Sequence, residues 1–179
     1  MIHRTHNRDL TTLARACYSD CERYRYSLTI QWDRKLPNVM VIGLNPSTAT
    51  EKSNDPTITR LERYAQRNGF GSLEMYNAYA YRATNPKEML AQTDPNGPEN
   101  DATLRIAALY ADTIIFAWGN HCDPDREQAI WQLVQNLDNE PPRCWGLTQS
   151  DRPKHPLYLK DEILDAPVLW VRNLARKDA

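Results

Sequence analysis

The chain has 179 residues, enough for the core of one domain, and its 41% hydrophobic and 25% charged residues are ordinary for a globular protein. No stretch approaches the roughly 18 apolar residues of a membrane-spanning helix, and the N-terminal residues lack the apolar part of a signal peptide. We therefore expect a cytoplasmic protein without a membrane partner. A net charge of −1 argues against nonspecific coating of nucleic acid but allows a local basic surface.

The first two predicted elements precede the main sheet. Residues 8–23 have the period of an amphipathic helix, and the apolar residues that would share its face are Leu10, Leu13, Ala14 and Cys17. In residues 26–32 apolar and polar side chains alternate, which predicts a half-buried strand at the edge of the sheet.

Four apolar segments then alternate with helical patterns, which favours a parallel sheet with right-handed crossovers and no domain boundary within residues 1–179. The predicted strands are 39–42, 73–80, 113–118 and 143–147. The pairs Asp55-Pro56 and Asp123-Pro124 each predict a capped helix start, with helices running to about Asn68 and Leu137. Further helices are predicted over 99–111 and from about Leu157, followed by an apolar segment at 168–171.

The four cysteines do not form a metal-binding pattern. Cys17 and Cys21 would share a helix face, whereas Cys122 and Cys144 are isolated, and no C-x-x-C pair occurs. Free, mostly buried thiols in a reducing compartment are the favoured interpretation, with a metal site as the open alternative. We predict no metal and no cofactor.

Polar, amide-rich loops follow each predicted strand, at the sheet edge where open α/β sheets bind ligands. Their polar and neighbouring residues are Asn45, Pro46, Ser47, Thr48, Asn77, Arg82, Thr84, Asn85, Trp118, Asn120, His121, Thr148, Gln149, Lys154 and His155. The sequence contains no Ser-His-Asp spacing, no phosphate-binding G-x-x-x-x-G-K-[ST] and no G-x-G-x-x-G. Amide, guanidinium and imidazole groups can read base edges, and they can position water and stabilise an anionic leaving group without a metal.

Several segments resemble the uracil-DNA glycosylase superfamily. The strand and turn VMVIGLNPS, the segment MYNAYAYRATNP, the strand DTIIFAWG and the loop KHPLYL are similar, in this order, to its motifs over roughly residues 38–162. G-L-N-P-S and H-P-L-Y-L also resemble an uncharacterised family of bacterial and phage proteins, the domain of unknown function 1643. The first resemblance implies a three-layer α/β/α sandwich with a central, mainly parallel four-stranded sheet, to which the N-terminal helix and edge strand would be added.

The same resemblance implies roles for individual residues. Asn45 would orient the attacking water, Asn77 would read the flipped base, and His155 would donate a hydrogen bond to the base oxygen as charge builds there. Leu157 or Leu159 would fill the space that the base leaves. Tyr79, Tyr81 and Trp118 are the aromatic residues that could stack on the base, and Pro46, Ser47 and Arg82 complete the expected substrate contacts.

Some alternatives stay open. Asp55 could be a catalytic carboxylate or only a helix cap, and Arg82 could contact phosphate or base or form an ion pair. Ser47 stands in place of the superfamily's glycine, and Leu157 in place of a small serine. We expect a metal-independent hydrolase of N-glycosidic bonds acting on DNA or a nucleotide-like ligand. A non-catalytic binding module on the same fold is the alternative, and a hydrolase of free nucleosides a weaker one. Neither the target base nor the oligomeric state follows from the sequence.

Overall fold

A computed structural model of the chain describes residues 1–135 and 140–170. Within these ranges eight strands and five α-helices form around one sheet. The strands are β1 (Ile2–Asn7), β2 (Leu13–Tyr18), β3 (Arg25–Gln31), β4 (Asn38–Gly43), β5 (Ser72–Asn77), β6 (Thr113–Phe116), β7 (Arg143–Cys144) and β8 (Val168–Leu169). The α-helices are α1 (Pro56–Arg67), α2 (Pro86–Leu90), α3 (Asn100–Leu109), α4 (Pro124–Val134) and α5 (Asp161–Leu164), and 3-10 turns occur at Gly119–His121 and Pro156–Tyr158.

The sheet is mixed, with the strand order β1-β2-β3-β5-β4-β6-β7-β8. Of its seven neighbouring pairs, four are antiparallel and three, those joining β5, β4, β6 and β7, are parallel. The expected sandwich around a central, mainly parallel four-stranded sheet is therefore wrong. The physical reason is that β1, β2 and β3 form an antiparallel meander that pairs with β5, while β8 turns back along β7.

The predicted helix over residues 8–23 is also wrong, because this segment contains a turn and the second strand of a hairpin. The Asp9 carboxylate accepts hydrogen bonds from the backbone N–H groups of Thr11 and Thr12, which fixes a tight turn between β1 and β2. Beyond the turn, Ala14 and Ala16 are buried with the period of a strand. The strand predicted at 26–32 is present as β3, but it lies between β2 and β5 rather than at an edge.

The predicted helix starts at the two Asp-Pro pairs are confirmed. Asp55 Oδ1 accepts a hydrogen bond from the N–H of Ile58 at 2.8 Å, and Asp123 Oδ1 accepts one from the N–H of Asp125 at 2.8 Å. The helix from Asp55 ends where expected, since Asn68 is its C-cap and Gly69 follows with a φ of +79°. The predicted end of α4 near residue 137 lies outside the described residues.

Alternation along the central strand β4 divides the core between two helical layers. Val39 and Val41 pack on the face covered by α1 and α5, whereas Met40 and Ile42 pack on the face covered by α3 and α4. Both sets are fully buried, and each such side chain contributes roughly 1.5–3 kcal/mol through burial. The carboxyl ends of the parallel strands are thereby held rigidly at one edge. No helix in the described ranges is long and apolar enough to cross a bilayer.

Candidate functional site

A cavity of about 440 Å³ opens at the carboxyl ends of β4, β5 and β6. The residues that line it come from the loops after these strands, from the start of α1 and from the loop before the 3-10 turn at Pro156. They are Arg25, Gly43, Leu44, Asn45, Ser47, Asp55, Thr57, Ile58, Met75, Asn77, Ala83, Thr84, Pro86, Trp118, Gly119, Asn120, His121, Thr148 and His155. The volume lies within the range of sites that enclose small organic ligands.

The cavity brings together six of the ten residues that the sequence singled out as catalytic or substrate-binding. These six are Asn45, Ser47, Asp55, Asn77, Trp118 and His155, and they come from segments more than 100 residues apart in the chain. The other four, Pro46, Tyr79, Arg82 and Leu157, are not part of its lining. Shared placement is a geometric finding, and the chemical role of each residue stays a prediction.

The Asn77 side chain is the most unusual polar group of the cavity. Its residue is only 1% exposed, and neither Nδ2 nor Oδ1 has a hydrogen-bond partner among the described residues. A buried amide without partners loses roughly 1–3 kcal/mol of stability for each unsatisfied group. One donor and one acceptor, side by side and deprived of water, are the complement of the hydrogen-bonding edge of a heterocyclic base.

The backbone beneath Asn77 is held firmly from the far side of the sheet. Asn100, itself fully buried, donates from Nδ2 to the carbonyl oxygens of Asn77 and Ala78 at 3.1 and 3.2 Å. Arg126 Nε donates to the Ala78 carbonyl at 2.6 Å, and Arg126 also pairs with Asp101. The Asn77 backbone is thus fixed by α3 and α4, while its side chain has no hydrogen-bond partner among the described residues.

Asn45 presents an oriented carbonyl to the cavity. Its Nδ2 donates to the backbone carbonyl oxygens of Ala83 and Pro46 at 2.7 and 3.1 Å. Because a carbonyl oxygen can only accept, these two bonds fix which end of the amide is nitrogen. The remaining Oδ1 is an acceptor suited to hold a water molecule by one of its hydrogens.

His155 lies at the rim, as the residue that caps the 3-10 turn at Pro156–Tyr158. Its Nδ1 accepts a long hydrogen bond, 3.4 Å, from the N–H of Leu157, so the neutral ring carries its proton on Nε2. Although the residue is exposed, surrounding protein atoms lower its pKa by desolvation, and the Asp55 carboxylate acts in the opposite direction. At neutral pH the ring is therefore a neutral Nε2–H donor.

Asp55 both caps α1 and forms part of the cavity wall. Its Oδ1 accepts the hydrogen bond of the Ile58 N–H and so caps the helix, and its charge acts on both His155 and Arg25. Both readings of this carboxylate that the sequence left open are compatible with this arrangement.

Four predicted contact residues lie elsewhere for identifiable reasons. The Pro46 carbonyl accepts the N–H of Ala83, so Pro46 shapes the loop, and the Tyr79 hydroxyl, on the opposite face of the sheet, accepts the N–H of Asp123. Arg82 donates to the Glu22 carbonyl and lies over the Tyr18 ring. Leu157 lines a groove beside the cavity, together with side chains of α1.

The aromatic residues that could stack on a base are placed differently from one another. Trp118 lines the cavity but is 1% exposed, and its Nε1–H donates to Glu127 Oε2 at 3.0 Å. Glu127 also pairs with Arg152 at 2.8 Å, which ties the loop carrying His155 to α4. Tyr81 makes an edge contact with Tyr24 outside the cavity. Trp118 is thus a wall of the cavity held in the core.

Two functional side chains were missed from the sequence. Arg25, which the sequence did not mark as a site residue, lines the cavity and is 2% exposed. Asn100, which supports Asn77, lay unnoticed inside a helical pattern. Neither carries a local sequence signal, because both act through contacts with segments more than 20 residues away.

The cysteines do not form a cluster. Cys17, Cys122 and Cys144 are buried, Cys21 is exposed, and all four are free. Since Cys17 belongs to β2, the helical spacing of Cys17 and Cys21 does not occur. Across residues 1–135 and 140–170, no group of three or more His, Cys, Asp or Glu side chains could hold a metal ion.

The fold and cavity define a mixed α/β protein with a cavity lined by polar residues at the carboxyl ends of its parallel strands. A family model described as protein of unknown function (DUF1643) matches residues 25–157, and the chain belongs to this family. The match includes every residue that lines the cavity. No curated protein gives a significant match.

Proposed function

We propose that this protein binds a nucleobase in the cavity and hydrolyses its N-glycosidic bond without a metal, as a DNA glycosylase-like enzyme. The observation that carries the proposal is the unpartnered Asn77 amide, 1% exposed, in a cavity that also holds Asn45 and His155. The motif resemblance to the uracil-DNA glycosylase superfamily supports the same chemistry. The base, either deaminated or otherwise modified, is not specified further.

In this mechanism each residue acts on one atom of the substrate. Asn77 hydrogen-bonds the edge of the base through Nδ2 and Oδ1, and Asn45 Oδ1 holds a water against the sugar carbon. The carbon–nitrogen bond breaks ahead of water attack, so the sugar acquires oxocarbenium character and the base leaves as an anion. His155 donates Nε2–H to the base oxygen where that charge develops. The water oxygen then bonds the sugar carbon and releases its proton to solvent.

A groove beside the cavity supports a polynucleotide substrate. It is lined by α1 side chains, including Arg60, Arg63 and Arg67, together with Leu157. Arg60 and Arg67 pair with Asp161 and Asp165, whereas Arg63 makes no ion pair within the described ranges. A row of arginines leading to a base-sized cavity is suited to the phosphates of a strand whose base has been flipped out.

The second proposal, favoured by Ser47 and Leu157, is a non-catalytic module that holds a base or nucleotide. Both residues depart from the motifs that approach substrate backbone in the superfamily, and both are placed at or beside the cavity. A hydrolase of free nucleosides is a weaker alternative, favoured by the net charge of −1.

The test is to incubate the protein with oligonucleotides carrying uracil, hydroxymethylated or glucosylated bases and to measure abasic sites. The proposal expects product with at least one base and loss of product in Asn45→Ala and His155→Ala. Binding without product across the panel would favour the non-catalytic module. Salt-independent turnover of free nucleosides alone would favour the third alternative.

A further inference from the structure

A buried arginine at the cavity wall has no role in the chemistry proposed above. Arg25 begins β3, is 2% exposed, and lines the cavity together with Asn77 and Asp55. Its Nη1 donates to the Ala49 carbonyl, which holds the guanidinium beneath the loop that follows β4. Its Nε has no hydrogen-bond partner among the described residues.

The charge of Arg25 is not neutralised by a direct ion pair. Within residues 1–135 and 140–170, no carboxylate oxygen lies within 4.0 Å of its guanidinium, and Asp55 acts on it only from a distance. Burial lowers the pKa of Arg25 to about 10, still well above neutral, so the group remains charged. Buried arginines are almost always paired, because an isolated buried charge is costly.

A helix start lies on the same cavity wall. Thr57 and Ile58, in the first turn of the 12-residue α1, both line the cavity. The first N–H groups of a helix have no carbonyl partner within it and carry partial positive charge. Asp55 satisfies the N–H of Ile58, so the helix end adds to the field around Arg25 without supplying the whole of it. Arg25 and the helix start thus place positive charge on the wall that also holds the Asp55 carboxylate and Asn77.

We propose that Arg25 and the start of α1 form an oxyanion subsite that binds a phosphate of the nucleotide whose base Asn77 reads. The inference rests on the proposed function in taking the ligand to be a nucleotide. A cavity of about 440 Å³ is larger than one base needs and leaves room for a sugar and a phosphate. A guanidinium binds phosphate through two parallel hydrogen bonds, which would satisfy the donors that Arg25 leaves unpaired.

Calorimetric titration with deoxyuridine, deoxyuridine 5′-monophosphate and a trinucleotide containing deoxyuridine tests the subsite. Phosphate-bearing ligands should bind at least about tenfold more tightly than the nucleoside, as expected for one charge-assisted pair. Arg25→Gln should abolish this difference, while Arg25→Lys should retain part of it. Tighter binding of the monophosphate than of the nucleoside would show that the subsite accepts the phosphate of a free nucleotide. Tighter binding of the trinucleotide alone would show that it accepts a phosphate between two nucleotides.

Two further variants keep the test decisive. Arg25→Met replaces the buried charge with an apolar chain of similar length and should fold if Arg25→Gln does not. Arg15→Gln removes an exposed arginine of β2 outside the cavity and should leave the phosphate gain intact. The subsite is wrong if phosphate-bearing ligands still bind more tightly than the nucleoside in Arg25→Gln and Arg25→Met. It is also wrong if 5-carboxyuracil binds more tightly than uracil while phosphate-bearing ligands bind no more tightly than the nucleoside.

The same data separate this inference from the proposed function. In Asn77→Ala, inorganic phosphate should still raise the melting temperature of the protein, and this effect should be lost in the Arg25 variants. Phosphate stabilisation without any base binding would refute the proposed function and leave the subsite standing. Base binding that is indifferent to phosphate would refute the subsite alone.

Discussion

Gly43 and Asn77 are register partners at the carboxyl ends of the parallel strands β4 and β5. A methyl group on Gly43 would lie 3.2 Å from Asn77 Oδ1 and 2.5 Å from Met75 Cε. The absence of a side chain at Gly43 thus avoids a close contact with both the Asn77 amide and Met75. Gly43, Leu44 and Asn45, at the end of β4, all line the cavity, and Gly43 adds no side chain that would collide with Asn77 or Met75.

Gly43→Ala should weaken base binding by at least about tenfold, because the new methyl group displaces Met75 into the cavity and presses on the amide. Unfolding free energy should fall by about 1–3 kcal/mol from overpacking. The control is Gly69→Ala, whose added methyl group meets nothing within 4 Å but is strained at a φ of +79°. It should cost stability and spare binding. Equal affinities in both variants would contradict an open space at Gly43.

Two buried asparagines should respond differently to truncation. Asn77→Ala removes no hydrogen bond of the free protein and relieves a buried amide without partners, so it should not destabilise the fold, while base binding is lost. Asn100→Ala removes two hydrogen bonds and should destabilise by about 1–3 kcal/mol. Denaturant unfolding and ligand titration measure both effects. A large loss of stability in Asn77→Ala would mean that its amide has a structural partner.

The rate of base excision should fall on the acid side of neutrality. Protonated His155 cannot accept the N–H of Leu157, so its ring loses the orientation that presents Nε2–H. Since desolvation lowers the pKa of His155 below its ordinary 6.5, the unfolded chain takes up this proton first as pH falls. The stability that His155 contributes is therefore present above pH 6.5 and declines below it.

Asp55→Asn should move the acid limb of the pH–rate profile to lower pH. The Asp55 carboxylate raises the pKa of His155, and removing its charge withdraws that support from the imidazolium form. Asparagine is as good a helix cap as aspartate, so unfolding free energy should change by less than about 1 kcal/mol. If neither the pH–rate profile nor the rate changes, Asp55 serves only as the cap of α1.

Tyr158, between Leu157 and Leu159, presents an exposed ring three residues after His155. It is 91% exposed in the turn after His155, whereas Leu159 packs against the core. We expect Tyr158→Ala to lower activity on duplex DNA by about tenfold and on single strands little, since an inserted ring offsets the cost of unstacking. Tyr110→Ala, which truncates a 77% exposed tyrosine after α3, is the matched control. Equal losses on both substrates would exclude a wedge.

Local signals identified most elements around the site. Asp55-Pro56 and Asp123-Pro124 marked helix starts because capping is a contact within three residues, and the apolar run at 39–42 marked a strand buried on both faces. Asn45, Asn77 and His155 were found because each follows a strand or a recognisable turn. Their meeting in one cavity follows from the parallel pairing of β4, β5, β6 and β7.

The segment before β3 could not be read in the same way. Spacing of apolar residues in 8–23 fitted a helix, yet the hydrogen bonds of the Asp9 carboxylate and the pairing of β1 with β2 decide the outcome. The Asp9 turn is a local contact, but the strand pairing on either side of it is tertiary and overrides the short helical period. The same meander places Arg25 against the cavity, which is why the guanidinium was not foreseen as part of the site.

The side-chain amide resonances of Asn77, assigned by comparison with Asn77→Ala, offer the most direct measurement. We predict that these NMR signals shift on saturation with an oligonucleotide that carries uracil or a hydroxymethylated or glucosylated base, and that the Asn100 signals move far less. A ligand that binds or is cleaved while the Asn77 amide signals stay unchanged would contradict recognition of a heterocycle in this cavity.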